Sequence, residues 1–475
     1  MTSVAPLTDF PDRLSPMVVK ELRQGLRTRM FGLVMVLLHV LLVLFTLTSG
    51  GSGNADTINI WFDGIITLTL CVILPLRGFS AVADELKAGT LDMLALTSLS
   101  AGRIIFGKWV SIAAQSLLLA FSILPYVVAR YVFGGLDLFG EVAMLFYKWL
   151  GGVVFAALVI ALSTQRQFWL RALIVGVPML FGGCGMFSYF IMRGMAGTVG
   201  VTSPWSSLAG GPGVVWLGVG IAVWLIFYFL SLAATRIAPA ASLLPVVKRS
   251  VHLAVLCVLL LLGTVTSLGS SVILAAASLL WLVMLDALTE HANEVPSVYA
   301  AFYRRGFMGR AALWLLAPGW ITGFLFTLLL VALVAGMSAW MGHAEEAQLM
   351  LISACGTWMV AALVQLFPTR RARDLLLPFI CISLGVSLIL STLASLLLIP
   401  FSMKSTTAWF AVALPQFVPI GFATAQPGDK ETFMLLSSAV SLMWPMLLLV
   451  LAIVAWRRTR SARVEAWSMA KGGVA

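Results

Sequence analysis

Between Arg29 and Asp56 the chain carries no Asp, Glu, Lys or Arg, and the stretch MFGLVMVLLHVLLVLFTLT is almost wholly apolar. A run of this kind is long enough to cross a bilayer, which takes roughly 20 residues. Hydrocarbon offers backbone groups no hydrogen-bonding partner, so such runs are expected to be helices that satisfy their own peptide groups. The pattern repeats along the chain. About twelve runs are expected, at 31–48, 60–79, 109–129, 142–162, 172–191, 213–234, 251–268, 271–289, 314–336, 349–366, 375–399 and 433–455. The runs at 251–268 and 271–289 are separated only by Gly269 and Ser270, and form either a tight helical hairpin or one broken element. The expected fold is all-α and polytopic, with 61% hydrophobic and 10% charged residues, far from the balance of a water-soluble globule.

The basic residues test this count. With the N-terminus in the cytoplasm and the sides alternating, only Arg130, Lys148, Arg193, Lys404 and Lys430 of the 30 Lys and Arg fall on the outer side. That asymmetry is the positive-inside pattern. The chain is accordingly expected as a multi-pass protein of the inner (plasma) membrane with both termini cytoplasmic. The net charge of +11 is then accounted for by topology and anionic lipid, without nucleic acid as a partner. No cleavable signal is expected, because Asp9, Asp12, Glu21, Pro11 and Pro16 interrupt the first thirty residues. Cys71, Cys184, Cys257, Cys355 and Cys381 all fall in expected spans, without metal-like spacing, and read as small packing residues.

The chain reads as two six-span halves. STQRQFWLR at 163–171 and PTRRARD at 368–374 are both short basic turns between the fourth and fifth spans of their half. Each final span follows an outer loop rich in Pro and Gly, at 202–213 and 414–429. The expected organisation is a cytoplasmic tail and amphipathic helix at 1–30 and a first half at 31–240 containing a cytoplasmic segment at 84–100. A second, divergent half follows at 241–456, then a basic cytoplasmic tail at 457–475. Within SPMVVKELRQGLRTRM, Ser15 suits an N-cap and Pro16 a first helical position, and Val18, Leu22, Leu26 and Met30 recur every four residues. This predicts an amphipathic helix at the cytoplasmic membrane surface, against the plainer alternative of a positively charged topology anchor.

Gly102 to Lys108, GRIIFGK, nearly matches a phosphate-binding loop. A working loop ends in Ser or Thr to hold Mg²⁺ and sits between a strand and a helix. Here Trp109 holds that position and the segment leads into the third span, so a nucleotide site is not expected. Lys108 is instead expected as a basic anchor at the cytoplasmic end of the span, with Trp109 at the headgroup boundary. The preceding segment should run as a helix past Asp84, Glu85 and Lys87, break at Gly89, and restart as a short apolar helix capped by Thr90. Ser100 should cap the helix of span three. A short helix presenting Leu91, Met93, Leu94 and Leu96 outside the bilayer needs a partner, the membrane surface, or its own chain to pack on.

Glu85, Gly89-Thr90-Leu91, Leu94, Leu99-Ser100 and Gly107-Lys108 together resemble the signature after span two of type-2 ABC transporter permeases, and Lys20-Glu21-Leu22-Arg23 resembles the amphipathic helix that precedes span one in that family. The resemblance covers about the first 240 residues. It implies a permease, not itself an enzyme, paired with separate ABC ATPase subunits and possessing no catalytic, cofactor or metal site of its own. It assigns Glu85, Gly89, Thr90, Leu91 and Leu94 to an ATPase-coupling segment, and Lys20, Glu21 and Arg23 to an interface helix beside it. Export of a solute is the direction it favours, with a homodimer or a second permease subunit as further partners besides membrane lipid. The second half departs from the pattern: Thr289 to Arg310 has no Glu-x-x-x-Gly-Thr-Leu and includes Pro296. An alternative class remains, a polytopic membrane enzyme or assembly factor acting on lipid or envelope precursors. No HExxH motif or nucleophile array accompanies the acidic pairs Asp84-Glu85 and Glu345-Glu346. Among polar residues of the spans, His39, His252, Gln115 and Gln365 lie within them, and Asp63 and Asp286 are expected near ends where they reach water. FGGCGMF at 181–187 suits close helix approach or bending.

Overall fold

The computed structural model describes residues 16–49, 55–89, 100–134, 138–165, 212–266, 269–291, 295–366, 375–376, 378–386 and 428–472, with single positions 412, 415, 418 and 422. The protein is an all-α polytopic membrane protein: the described residues contain no strand, and ten of their helices are long and apolar enough to cross a bilayer. Those ten correspond to ten of the expected runs. The run at 172–191 and most of that at 375–399 lie outside the described residues. By its contacts the chain separates into two compact units, Met1–Ala238 and Pro239–Ala475.

In the first unit α1 (Pro16–Leu26) leads through a turn into α2 (Arg29–Ser49). α3 (Ala55–Leu68) runs into a π turn at Thr69–Ile73 and a 3₁₀ turn at Pro75–Phe79, and α4 (Ala83–Ala88) follows. α5 (Ala101–Gly134), α6 (Leu138–Ser163) and α7 (Pro212–Ile237) complete the unit. Phe31, Leu38 and Leu42 of α2, Phe62 and Ile66 of α3, Leu70 and Leu74 beyond it, and Leu119, Ile123 and Val127 of α5 form one buried apolar cluster. The second span is therefore not a continuous α-helix. Its π turn coincides with the close approach of α6: a Cβ on Gly152 would stand 2.2 Å from the Leu70 carbonyl oxygen. The same atom on Gly151 would meet nothing nearer than Cys71 Sγ at 3.9 Å. Gly152→Val is thus expected to lower stability by roughly 1–3 kcal/mol through overpacking, whereas Gly151→Ala leaves it unchanged. Denaturant unfolding in micelles separates the two neighbours, and equal effects at both would mean that α6 does not approach Leu70 so closely.

The second unit begins with α8 (Leu244–Val265) and α9 (Gly269–Thr289), two separate helices, which settles the hairpin question in favour of the hairpin. Two short helices follow, α10 (Pro296–Tyr303), with Pro296 at its first position, and α11 (Gly306–Leu316). α12 (Trp320–Trp340), α13 (Ala344–Leu366), α14 (Lys430–Arg458) and α15 (Arg460–Gly472) complete the unit. The span expected from 314 starts instead at Trp320, because Gly319, at φ 125°, makes a corner that separates α11 from α12. α12 packs on α9 where a Cβ on Gly323 would stand 2.1 Å from the Ala287 carbonyl oxygen. Trp358 Nε1 of α13 donates to Thr327 Oγ1 of α12 at 3.1 Å, within the buried interior.

Candidate functional site

The near-match to a phosphate loop has a structural explanation. Gly102 to Lys108 lies within helix α5, so beyond its first turn the segment's N–H groups belong to the helical ladder and cannot cradle an anion. Ser100 precedes the helix as expected, and its Oγ accepts from Arg103 N at 3.4 Å. Gly107 is small because α1 crosses there: a Cβ on it would stand 3.0 Å from Met17 Cγ and 3.7 Å from Val18 N. Lys108 is not a headgroup anchor. It is buried, and its Nζ donates to Glu21 Oε1 of α1 at 3.2 Å and to Glu85 Oε1 of α4 at 2.8 Å. Trp109 turns inward as well, donating through Nε1 to the Val153 carbonyl at 3.1 Å.

The buried face of α1 differs from the expected stripe. Met17, Val18, Glu21 and Gly25 face inward, Leu22 and Leu26 are half-buried, and Met30 belongs to α2 and is exposed. Those four positions share a helix face by their spacing of three and four. About two turns beyond the lysine along α5, a second polar joint fixes the bend between α1 and α2. Arg77 Nη2 donates to the Gly25 carbonyl at 3.1 Å and to Thr28 Oγ1 at 3.0 Å, while its Nη1 donates to Gln115 Oε1 of α5. Gln115 Nε2 in turn donates to Ser111 Oγ at 3.1 Å. α1 is therefore a helix docked on span three, held by two polar joints, rather than one lying on lipid alone.

Of the residues assigned to coupling, Glu85 faces inward to Lys108. Gly89 ends α4 in the left-handed region at φ 68°, with its N–H donating to the Glu85 carbonyl, so the expected break is present. Thr90, Leu91 and Leu94 lie outside the described residues. Of the interface-helix residues, Glu21 joins Glu85 on Lys108, whereas Lys20 and Arg23 are exposed. Elsewhere in this unit Lys148 pairs with Asp63, and Arg130 lies 3.6 Å from Glu141 and over the Phe62 ring at 4.1 Å. His39 is held by the Met35 carbonyl of its own helix at 2.7 Å.

The second unit holds an ion cluster that the sequence reading did not single out. Asp286, expected to reach water, is buried and lies 2.7 Å from Lys248 Nζ. Lys248 also reaches Glu290 Oε1 at 2.8 Å, and Arg249 Nη2 reaches Glu290 Oε2 at 2.5 Å. Arg249, 1% exposed, donates further to the carbonyls of Leu315 at 3.1 Å, Ala317 at 2.6 Å and Gly319 at 2.9 Å and to Thr322 Oγ1 at 3.0 Å. Two cations face two anions, and the guanidinium satisfies the carbonyls at the α11–α12 corner, which the helical ladder leaves open. Burial would raise the Glu290 carboxyl, but Arg249 and Lys248, with the Gly319 N–H, lower it to about 2. The available signal was the spacing of Asp286 and Glu290, four residues apart at the end of an apolar run, where an acidic pair needs a cation.

These features define a polytopic membrane protein whose short helices and helix corners are tied to its spans by ion joints, one set in each unit. No family model matches the chain, and no curated protein matches it.

Proposed function

We propose that this chain is the membrane-spanning permease subunit of an ABC transporter, exporting a solute at the expense of ATP hydrolysed on partner subunits. The supporting observation is the Glu21–Lys108–Glu85 joint. The two stretches that resemble the type-2 permease family, one before span one and one after span two, are joined through a single buried lysine on span three. A segment that transmits movement from a partner must be attached stiffly to the spans it moves. A lysine shared by two carboxylates, with Arg77 and Gln115 about two turns away, supplies such an attachment. In this reading Glu85 positions the segment, and Leu91 and Leu94 make the contact with the ATPase. Localisation in the inner (plasma) membrane with cytoplasmic termini belongs to the same proposal.

The test is affinity purification of the full chain from its native membranes. An ATPase bearing Walker motifs should accompany it in near-stoichiometric amount. Leu94→Asp should leave insertion intact and remove the ATPase, because an unpaired charge in a buried contact costs several-fold to many-fold in affinity. Recovery of the chain without any ATPase, but with an activity on lipid or envelope precursors, would replace this reading with the enzyme alternative.

A further inference from the structure

We infer that α11 is an in-plane helix that seats its outer face in an anionic lipid surface. Gly306 at φ 67° and Gly319 at φ 125° make corners at both ends, so α11 is set apart from α10 and from the span α12 that follows it. Its inner face is already occupied. Gly309 and Leu313 are buried, and Leu313 packs with Tyr299, Phe302 and Ala466 of α10 and α15. The outer face is the apolar one. Phe307 is 77%, Met308 79% and Trp314 47% exposed, and Phe307, Ala311 and Trp314 recur at helical spacing along one line. A water-facing helix would show the reverse pattern.

Two observations decide what covers this face. The first is charge. Arg304 and Arg305 at its leading corner and Arg310 on its flank are exposed, and Arg457, Arg458 and Arg460 stand beside Trp456, against the single carboxylate Glu465 of α15. An apolar line edged by arginines complements an anionic leaflet. The second is depth. Trp456, at the end of the span α14, stacks on Trp314 with ring centroids 4.6 Å apart, and Arg463 lies 3.7 Å over the Trp456 ring. Tryptophan and arginine at a span end mark the headgroup level. The stack therefore puts α11 at that level, where the acyl boundary begins. The ligand is an anionic phospholipid, recognised by arginine at its phosphate and by Phe307 and Met308 at its chains. The inference does not depend on the transport proposal.

The experiment uses the full chain with its native cysteines replaced and a fluorophore on Ala311→Cys, in nanodiscs of phosphatidylcholine with added phosphatidylglycerol. A spin-labelled acyl chain is carried on one lipid or the other at equal mole fraction. Both should quench, and labelled phosphatidylglycerol should be preferred by at least about fivefold, the effect of one arginine near such a surface. Arg304→Gln, Arg305→Gln and Arg310→Gln together should bring the preference near parity without changing expression. A fluorophore on Glu465→Cys should respond to acrylamide and not to lipid. Quenching at position 311 by acrylamide alone would show a face open to water or to a protein partner, and overturn the inference. Equal quenching by the two lipids, unchanged by the triple variant, would overturn the anionic recognition.

Discussion

Arg249→Met will destabilise the second unit more than any single change outside the ion clusters, by roughly 3–5 kcal/mol, the usual result of breaking a buried pair from one side. The guanidinium serves Glu290 and the carbonyls of Leu315, Ala317 and Gly319 at once, and methionine replaces none of these bonds. Lys248 remains on Glu290 Oε1, but it already serves Asp286, so one cation is left for two carboxylates. Lys248→Met combined with Asp286→Leu is the informative comparison. It removes one charge of each sign, keeps Arg249 on Glu290, and should cost less than either change alone. Unfolding followed in micelles or bicelles provides the measurement, and a double variant as costly as the sum of its singles would mean the pair is not coupled.

The same cluster sets an acid limit. Glu290 titrates near 2 in the folded chain against an ordinary value of 4.5, so its folded pKa is depressed. The contribution is then fully present above about pH 4.5 and is lost as pH falls through about 2, because the unfolded chain takes up the proton first. Glu290→Gln should lower stability at neutral pH and remove this part of the acid dependence. A wild-type profile that falls between pH 7 and 5 on account of this residue would contradict the assignment.

How much of this was legible in the sequence follows from what each signal measures. Hydropathy measures transfer to hydrocarbon, so the ten spans among the described residues were found. Their ends were missed where a charge inside a helix was taken to mark a loop. Lys108 was read as a basic anchor at the end of span three, in a helix already expected to start after Ser100, yet Glu21 and Glu85 hold its ammonium buried inside the unit. Lys248 and Arg249 were counted as loop cations for the same reason, although α8 begins at Leu244. Basic-residue asymmetry reports sidedness and is blind to which acid a cation meets. Glu21 was within reach of sequence reasoning: it lies four positions after Met17 and three after Val18, on the face that docks. The resemblance did name Glu21 for the interface helix, but apolar periodicity selected Leu22 and Leu26 for its buried stripe, because hydropathy assigns no partner to a glutamate.

The first unit's joint should fail in a distinctive way. Lys108 is 5% exposed and each of its two carboxylates is 20% exposed, so the acids retain some access to water and the lysine has little. Glu21→Gln or Glu85→Gln alone leaves the ammonium one anion and should cost about 1 kcal/mol or less after solvent screening. Both together leave a buried cation without a counter-ion, and the loss should rise to roughly 3–5 kcal/mol, well beyond the sum. The geometry provides a direct reporter of α1. An ideal Cβ at Gly107 stands 3.5 Å from Met17 Cβ, close to the separation a disulfide requires. Met17→Cys with Gly107→Cys, in a chain lacking its native cysteines, should therefore cross-link rapidly under mild oxidation. Either single glutamine variant should leave that rate nearly unchanged, and the double variant should slow it several-fold as α1 lifts from span three. Reversing the joint, with Lys108→Glu and Glu85→Lys, again places one cation beside two anions and should restore much of the rate. Slowing as large in either single variant as in the double would show that the two glutamates do not share the lysine.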